Sequence, residues 1–228
     1  MEIIMKHKLI VIEGACDGIG KSTQFALLRE KLEEMGAHVV SHHFPSYGTP
    51  HGASVEAYLR GEFGEPETLS PYFVNSLYAV DRAVTYHSEL KARREAGDVI
   101  LLDRYTTSSL IYQSAFIKDE DEKNAFIDYV TDLEYVKLGI PAPDAVIFLD
   151  APYDAAKALR AARKENDGVE RDIHETDDGF MRLVYDSAQH VCDRLGWTRI
   201  CCTDDCGNMR TREEIHADIM QSIMSIEN

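Results

Sequence analysis

The chain is short of basic residues, has no paired cysteines and no long apolar run, and each lack removes a class of function. Only 24 Lys and Arg stand against 40 Asp and Glu, a formal net charge of −16. Proteins that grip a nucleic-acid polymer usually present clustered cations to its phosphates, so no such partner is expected, whereas a mononucleotide needs only a few local cations. The five cysteines, Cys16, Cys192, Cys201, Cys202 and Cys206, include no C-x-x-C pair. They read as free reduced thiols rather than as a metal site built from Cys201, Cys202 and Cys206. No apolar stretch reaches membrane-spanning length and the N-terminus carries no signal-peptide pattern, so a soluble, cytoplasmic protein with no membrane partner is expected. The guanine-reading pattern Asn-Lys-x-Asp is missing, which argues against a GTPase-type switch. No repeat, low-complexity tract or interdomain linker interrupts the 228 residues, 44% of them hydrophobic, which suits a single domain over 1–228.

What is present begins at residues 8–23, where a buried strand runs into a glycine-rich turn and a helix start. Gly18 and Gly20 let backbone N–H groups curl around an anion, Lys21 reaches terminal phosphates, and Ser22 offers a hydroxyl to magnesium. Ile19 and Thr23 complete this ATP-binding segment. The usual spacing is Gly-x4-Gly-Lys-[Ser/Thr], but five residues separate Gly14 from Gly20. The first glycine position therefore falls on Ala15, or the loop is one residue longer. Phe25, Leu28, Leu32 and Met35 recur at helical spacing until Gly36.

Further apolar runs at Ala37–His43, Val99–Asp103, Ala145–Asp150 and Thr198–Cys202 alternate with helical patterns near 70–96, 107–117, 122–138, 153–165, 177–195 and 211–226. Ser70 reads as the N-cap and Pro71 as the first helical residue of the long helix. This alternation predicts a three-layer α/β fold, a five-stranded parallel sheet flanked by helices, which the resemblance drawn below narrows to the P-loop kinase fold. Two polar stretches, Ser46–Ser70 and Lys164–Asp178, overhang the carboxyl ends of the strands, where ligands of open parallel sheets bind; the first also reads as a plain surface loop.

The third strand ends in Asp103-Arg104-Tyr105. An acidic residue there can organise magnesium through water, and Arg104 can neutralise phosphate oxygens. The alternative is a structural Asp–Arg pair. Tyr78 and Arg82 stand four apart on one predicted helix, and Ser109, Tyr112 and Gln113 share a face of another, so the two faces can line one pocket. Tyr78 also reads as an ordinary packing aromatic.

Asp103-Arg104-Tyr105, Ser108 and Tyr112-Gln113 resemble the signature of thymidylate kinases, P-loop enzymes that phosphorylate dTMP with ATP. The resemblance extends to Phe44-Pro45-Ser46-Tyr47-Gly48, Leu77–Arg82, Leu138–Asp144 and Arg171–Glu175. It implies that Tyr78 stacks on thymine, Arg82 addresses the base, Arg104 and Tyr47 contact the dTMP phosphate, and Tyr112 lies under the deoxyribose. Phe44, Ser109, Gln113 and His174 belong to the same implied acceptor site. Asp17, in the phosphate loop, is implied to position the acceptor and Glu175 to support it and the magnesium. Arg160, Arg163, Lys164 and Arg171 resemble the family's lid, around 160–175, with Arg160 on ATP and Arg163 favoured as the catalytic cation because it precedes the Glu165–Gly168 turn. A homodimer packed through helices around 52–62, 70–96 and 107–117 is also implied. His43, Ser109 and His174 stand where other members often carry different residues. The competing expectation is a deoxynucleoside kinase acting on thymidine.

Overall fold

The protein is described by a computed structural model in which residues 6–14, 16, 18–157 and 178–226 are placed. Five strands, β1 (Leu9–Gly14), β2 (Val39–His43), β3 (Val99–Asp103), β4 (Ala145–Asp150) and β5 (Thr198–Cys201), form a parallel sheet in the order β2-β3-β1-β4-β5. The apolar runs become strands because a doubly covered parallel sheet buries both faces of each strand. β1 is buried along its whole length, whereas β2, at the edge, is only partly covered and starts at Val39 rather than Ala37.

Side chains alternate across the sheet. Ile10, Ile12, Leu101 and Leu149 pack with Leu28 and Leu32 of α1 (Lys21–Glu34) and with Ile215, Ile219 and Ile223 of the last helix. Leu9, Val11, Ile100 and Leu102 face the opposite layer with Tyr86, Leu90 and Ile140. Each such aliphatic side chain contributes roughly 1.5–3 kcal/mol by burial, so the sheet is the rigid platform that holds the loops at its carboxyl edge.

The predicted helix over 70–96 is α3 (Pro71–Thr85), a π-helical turn (Tyr86–Leu90) and α4 (Lys91–Glu95) in sequence. Pro71 occupies the first turn, but the Ser70 side chain makes no capping bond. The stretch 46–70 is not wholly a loop, because α2 (Ala53–Leu59) and a 3-10 turn (Pro66–Thr68) lie within it. α5 (Thr106–Tyr112) tightens into a 3-10 turn at Ser114–Phe116. α6 starts earlier than predicted (Glu120–Thr131), with Asp119 accepting from the Glu122 N–H, and runs into a π-helical segment, Asp132–Lys137. α7 (Asp178–Leu195) and α8 (Arg212–Met224) follow, the latter closed by a capping box between Thr211 and Glu214. Residues 153–157 are helical; the rest of the predicted 153–165 helix, and the predicted lid, lie outside the described residues.

Candidate active site

The strand register builds the site. Ile12 pairs with Asp103 and His43 pairs with Asp103 across β1, β3 and β2, so the carboxyl ends of three strands bring the phosphate loop, Asp103 and His43 side by side. Gly20 precedes α1 with φ of +94°, a left-handed conformation open to glycine at little cost. Gly20 has no side chain with which to cap the first N–H groups of α1.

Lys21 is nearly buried, and its Nζ stands 2.9 Å from Asp103 Oδ1. His43 Nδ1 pairs with Asp103 Oδ2 at 3.0 Å. Burial works to raise the Asp103 pKa, but the His43 hydrogen bond and the Lys21 ammonium outweigh it and hold this carboxyl well below the usual carboxylate range. His43 also stacks on Tyr47, with ring centroids 6.2 Å apart and 19° between planes. Ser22 is exposed in the first turn of α1. These donors fit magnesium. They are hard oxygens, the donor type this ion takes alongside several waters that it keeps. Asp103 Oδ1, which the Lys21 ammonium meets at 2.9 Å, and Oδ2, which faces His43, leave this carboxylate placed to receive one of those waters.

Next to Asp103, Arg104 adopts φ of +66°. That is uncommon for a side-chain-bearing residue and costs on the order of 1–2 kcal/mol. The turn points Arg104 across the Tyr112 ring, 5.4 Å from its centroid, with Nη1 4.0 Å from Glu13 Oε1. Glu13, fully buried at the end of β1, accepts from the Gly14 N–H and from the hydroxyls of Thr107 and Ser108 at 2.6–3.1 Å. It therefore ties the first turn of α5 to the strand beneath the phosphate loop.

Phe44, Tyr47, Tyr78, Arg82, Arg104, Ser109, Tyr112 and Gln113 all line one cavity of about 240 Å³, which His43, Leu59, Tyr105, Ser108 and Met181 help to close. Tyr78 packs edge-on to Tyr58 at 6.2 Å. Gln113 Oε1 is buried and, among the described residues, has no hydrogen-bond partner. Arg82 is 1% exposed, and the polar partner its burial demands is the protein's own Glu134: Nε and Nη2 meet its two carboxylate oxygens at 2.7 Å each. The loop that carries Tyr47 is anchored from α3, where Asp81 accepts the Ser46 N–H at 2.9 Å and the Ser46 hydroxyl pairs with both His42 and Thr85 at 3.0 Å. Asp17, Arg160, Arg163, Arg171, His174 and Glu175 lie outside the described residues.

Glu13, Asp81 and Glu134 were not anticipated as parts of the site, and His43 was noted only as a position where the family varies. His43 was findable, because a parallel register sets the last residue of β2 beside Asp103. Glu134 also left a trace. Phe126, Ile127 and Val130 form the buried face of α6, and Glu134 continues that face four residues on.

A family model described as thymidylate kinase matches residues 12–196. The chain is 33% identical over 171 residues to a thymidylate kinase of Mycobacterium tuberculosis, covering 74% of this chain and 78% of that one. It is 37% identical over 176 residues to a thymidylate kinase of Clavibacter sepedonicus, covering 75% and 78%. Among solved structures, thymidylate kinase from Candida albicans is similar in fold, with a TM-score of 0.69 at 22% identity over 96% of this chain and 92% of that chain. The enzyme from Ehrlichia chaffeensis gives 0.66 at 20% identity over 96% and 99%.

Proposed function

Because the chain belongs to the thymidylate kinase family, whose members transfer the γ-phosphoryl group of ATP to dTMP, we propose that its cavity is the dTMP site and its phosphate loop the ATP site, with the two meeting at Asp103-Arg104. One observation carries this assignment. Adjacent residues at the end of β3 face two different ligand spaces, Asp103 toward Lys21 and Arg104 into the cavity.

In this reading the base lies between Tyr78 and the Arg82, Ser109 and Gln113 end, the deoxyribose over Tyr112, and the 5′-phosphate between Arg104 and Tyr47, with Phe44 in the wall. Gly18, Ile19, Gly20, Lys21, Ser22 and Thr23 hold the ATP phosphates. Ser22 and Asp103 hold Mg2+, joined by Glu175, and the ion when bound neutralises charge on the transferring group. The nucleophile is a phosphate monoester oxygen, largely ionised at neutral pH, so no general base is needed. The chain's task is alignment and neutralisation of developing charge, which Lys21 and Arg104 supply. Asp17 positions the acceptor, Arg160 contacts ATP, Arg163 acts on the transferred group from the lid and His174 borders the acceptor; these five assignments, Glu175's included, rest on family resemblance.

A homodimer fits the outer face of α3. Phe73, Val80 and Val84 are 43%, 52% and 41% exposed there, at the i, i+7, i+11 spacing of one helical stripe, and a second copy would cover them. A cytoplasmic location is consistent with the described residues, in which no helix is long and apolar enough to cross a membrane.

The test is ADP release with Mg-ATP across a panel of acceptors. dTMP should be preferred, dUMP weaker, and thymidine and dCMP poor, since one methyl group is worth only about 1–3 kcal/mol of discrimination. Thymidine turned over better than dTMP would overturn the reading in favour of a deoxynucleoside kinase. That alternative is disfavoured by a cation, Arg104, at the end of the cavity where a nucleoside would present a neutral hydroxyl.

A further inference from the structure

The cavity contains one arginine whose charge is already answered. Glu134 takes Nε and Nη2 of Arg82 side-on, at 2.7 Å for each bond. The second hydrogen of Nη2 goes to Ser109 Oγ at 2.8 Å, with Asn75 Oδ1 at 3.4 Å. Glu134 is itself fixed, being fully buried and accepting the Thr106 hydroxyl at 2.8 Å. Nη1 makes, among the described residues, a single long contact, to the Tyr105 carbonyl at 3.4 Å. The π-helical segment at Asp132–Lys137 presents the carboxylate at this depth, and such bulges recur at functional sites.

We propose that Glu134 is a positioning residue for acceptor-base selection: by pairing with Nε and Nη2 it holds the protonated Arg82 immobile in an ion pair of zero net charge, whose Nη1 edge reads a pyrimidine carbonyl rather than an anion. The proposal rests on the dTMP reading above. A lone guanidinium would attract phosphate at either end of the cavity and permit the acceptor to bind reversed. A neutralised pair removes that attraction at the base end and leaves a directional hydrogen bond. Cytosine replaces one of thymine's two carbonyls with an amino group, which sets donor against donor.

The experiment uses Glu134→Gln, which keeps the side chain's size but turns one acceptor into a donor facing Arg82. Affinity for dTMP is measured by calorimetry, KM for ATP and dTMP by steady-state kinetics, and the ratio of kcat/KM for dTMP over dCMP by competition. Expected is a loss of roughly 10- to 100-fold in dTMP affinity, a KM for ATP within about twofold of the parent, and a dTMP over dCMP ratio lowered by about fivefold or more. A purely structural ion pair would raise both KM values together and leave the ratio unchanged, and that result overturns the proposal. So does unchanged dTMP affinity. If the Gln variant does not fold, Glu134→Asp, which keeps the charge but withdraws it by one methylene, should show the same split at smaller size; parallel changes in both KM values overturn the proposal there too. Failure of the parent enzyme to use dTMP would instead sink the functional reading, so the two failures are separate.

Discussion

Two arginines line the proposed acceptor cavity, and they are built in opposite ways. Arg82 sits in regular helix, is 1% exposed, and has a carboxylate at 2.7 Å on two of its nitrogens. Arg104 sits in a left-handed turn, is partly exposed, and stands 4.0 Å from Glu13. Burial works to lower the Arg82 pKa, yet Glu134 outweighs it and raises the value above the ordinary arginine range. Arg82 thus meets its carboxylate in two full hydrogen bonds away from solvent, whereas Arg104 lines the same cavity with Glu13 only at the 4.0 Å edge of an ion pair. The difference matches a ligand that is neutral at one end and dianionic at the other.

The largest effect that sharpens this contrast is on stability. Glu134→Ala leaves a buried guanidinium uncompensated and should cost about 3–5 kcal/mol, whereas Arg104→Ala should barely move the denaturation midpoint. Replacing both partners, as Arg82→Met with Glu134→Leu, should recover most of that stability without recovering dTMP binding. Chemical denaturation of the three variants checks both statements. Next comes catalysis. Lys21→Ala and Arg104→Ala should each lower turnover on the order of 10²–10³-fold, the loss of about 3–4 kcal/mol typical of a charge-assisted contact in the transition state. Arg104→Gly should be as inactive as Arg104→Ala but more stable by about 1 kcal/mol, because the positive φ then costs nothing.

A smaller effect is expected at Gly52, where an added Cβ would lie 2.2 Å from the Ser46 carbonyl oxygen. Gly52→Ala should cost about 1–3 kcal/mol by forcing the loop to shift. Because that loop carries Tyr47, KM for dTMP should rise while KM for ATP stays put. The smallest is a pH effect. Burial holds the His42 pKa below its ordinary value near 6.5, with Glu89 and Asp81 opposing. The unfolded chain therefore binds this proton first, and stability present above pH 6.5 is lost as pH falls through the lower folded-state value. Unfolding free energies at pH 7.5 and pH 5.5 should differ less in His42→Gln than in the parent, and an equal difference would show that other groups carry the effect.

The strands and the phosphate loop were legible because a parallel sheet demands continuous apolar runs, and because Gly20, Lys21 and Ser22 are required in fixed order by a backbone anion cradle. The gathering of Tyr78, Arg82, Tyr112 and Gln113 around one cavity was legible from helical spacing. The partner of Arg82 was not. Glu134 is 52 residues away in sequence; its spacing from Val130 places it on the buried face, but only the packing shows that Arg82 is what it meets there. Glu13 was hidden in the same way, since a carboxylate ending an apolar strand gives no sign that Thr107 and Ser108 will supply its hydrogen bonds. The π-helical turns at 86–90 and 132–137 left no mark, because they arise where tertiary packing shifts the helical register by one residue. The left-handed turn at Arg104 was equally invisible, since no glycine advertises it.

The most direct measurement compares dTMP with thymidine, by calorimetry, on the parent protein and on Arg104→Ala. If Arg104 is the phosphate clamp and Arg82 the base reader, dTMP binds the parent far more tightly than thymidine does. That advantage collapses in Arg104→Ala, while thymidine affinity stays unchanged. An advantage for dTMP that survives in Arg104→Ala, or a parallel loss of thymidine binding, would contradict the division of labour between the two arginines.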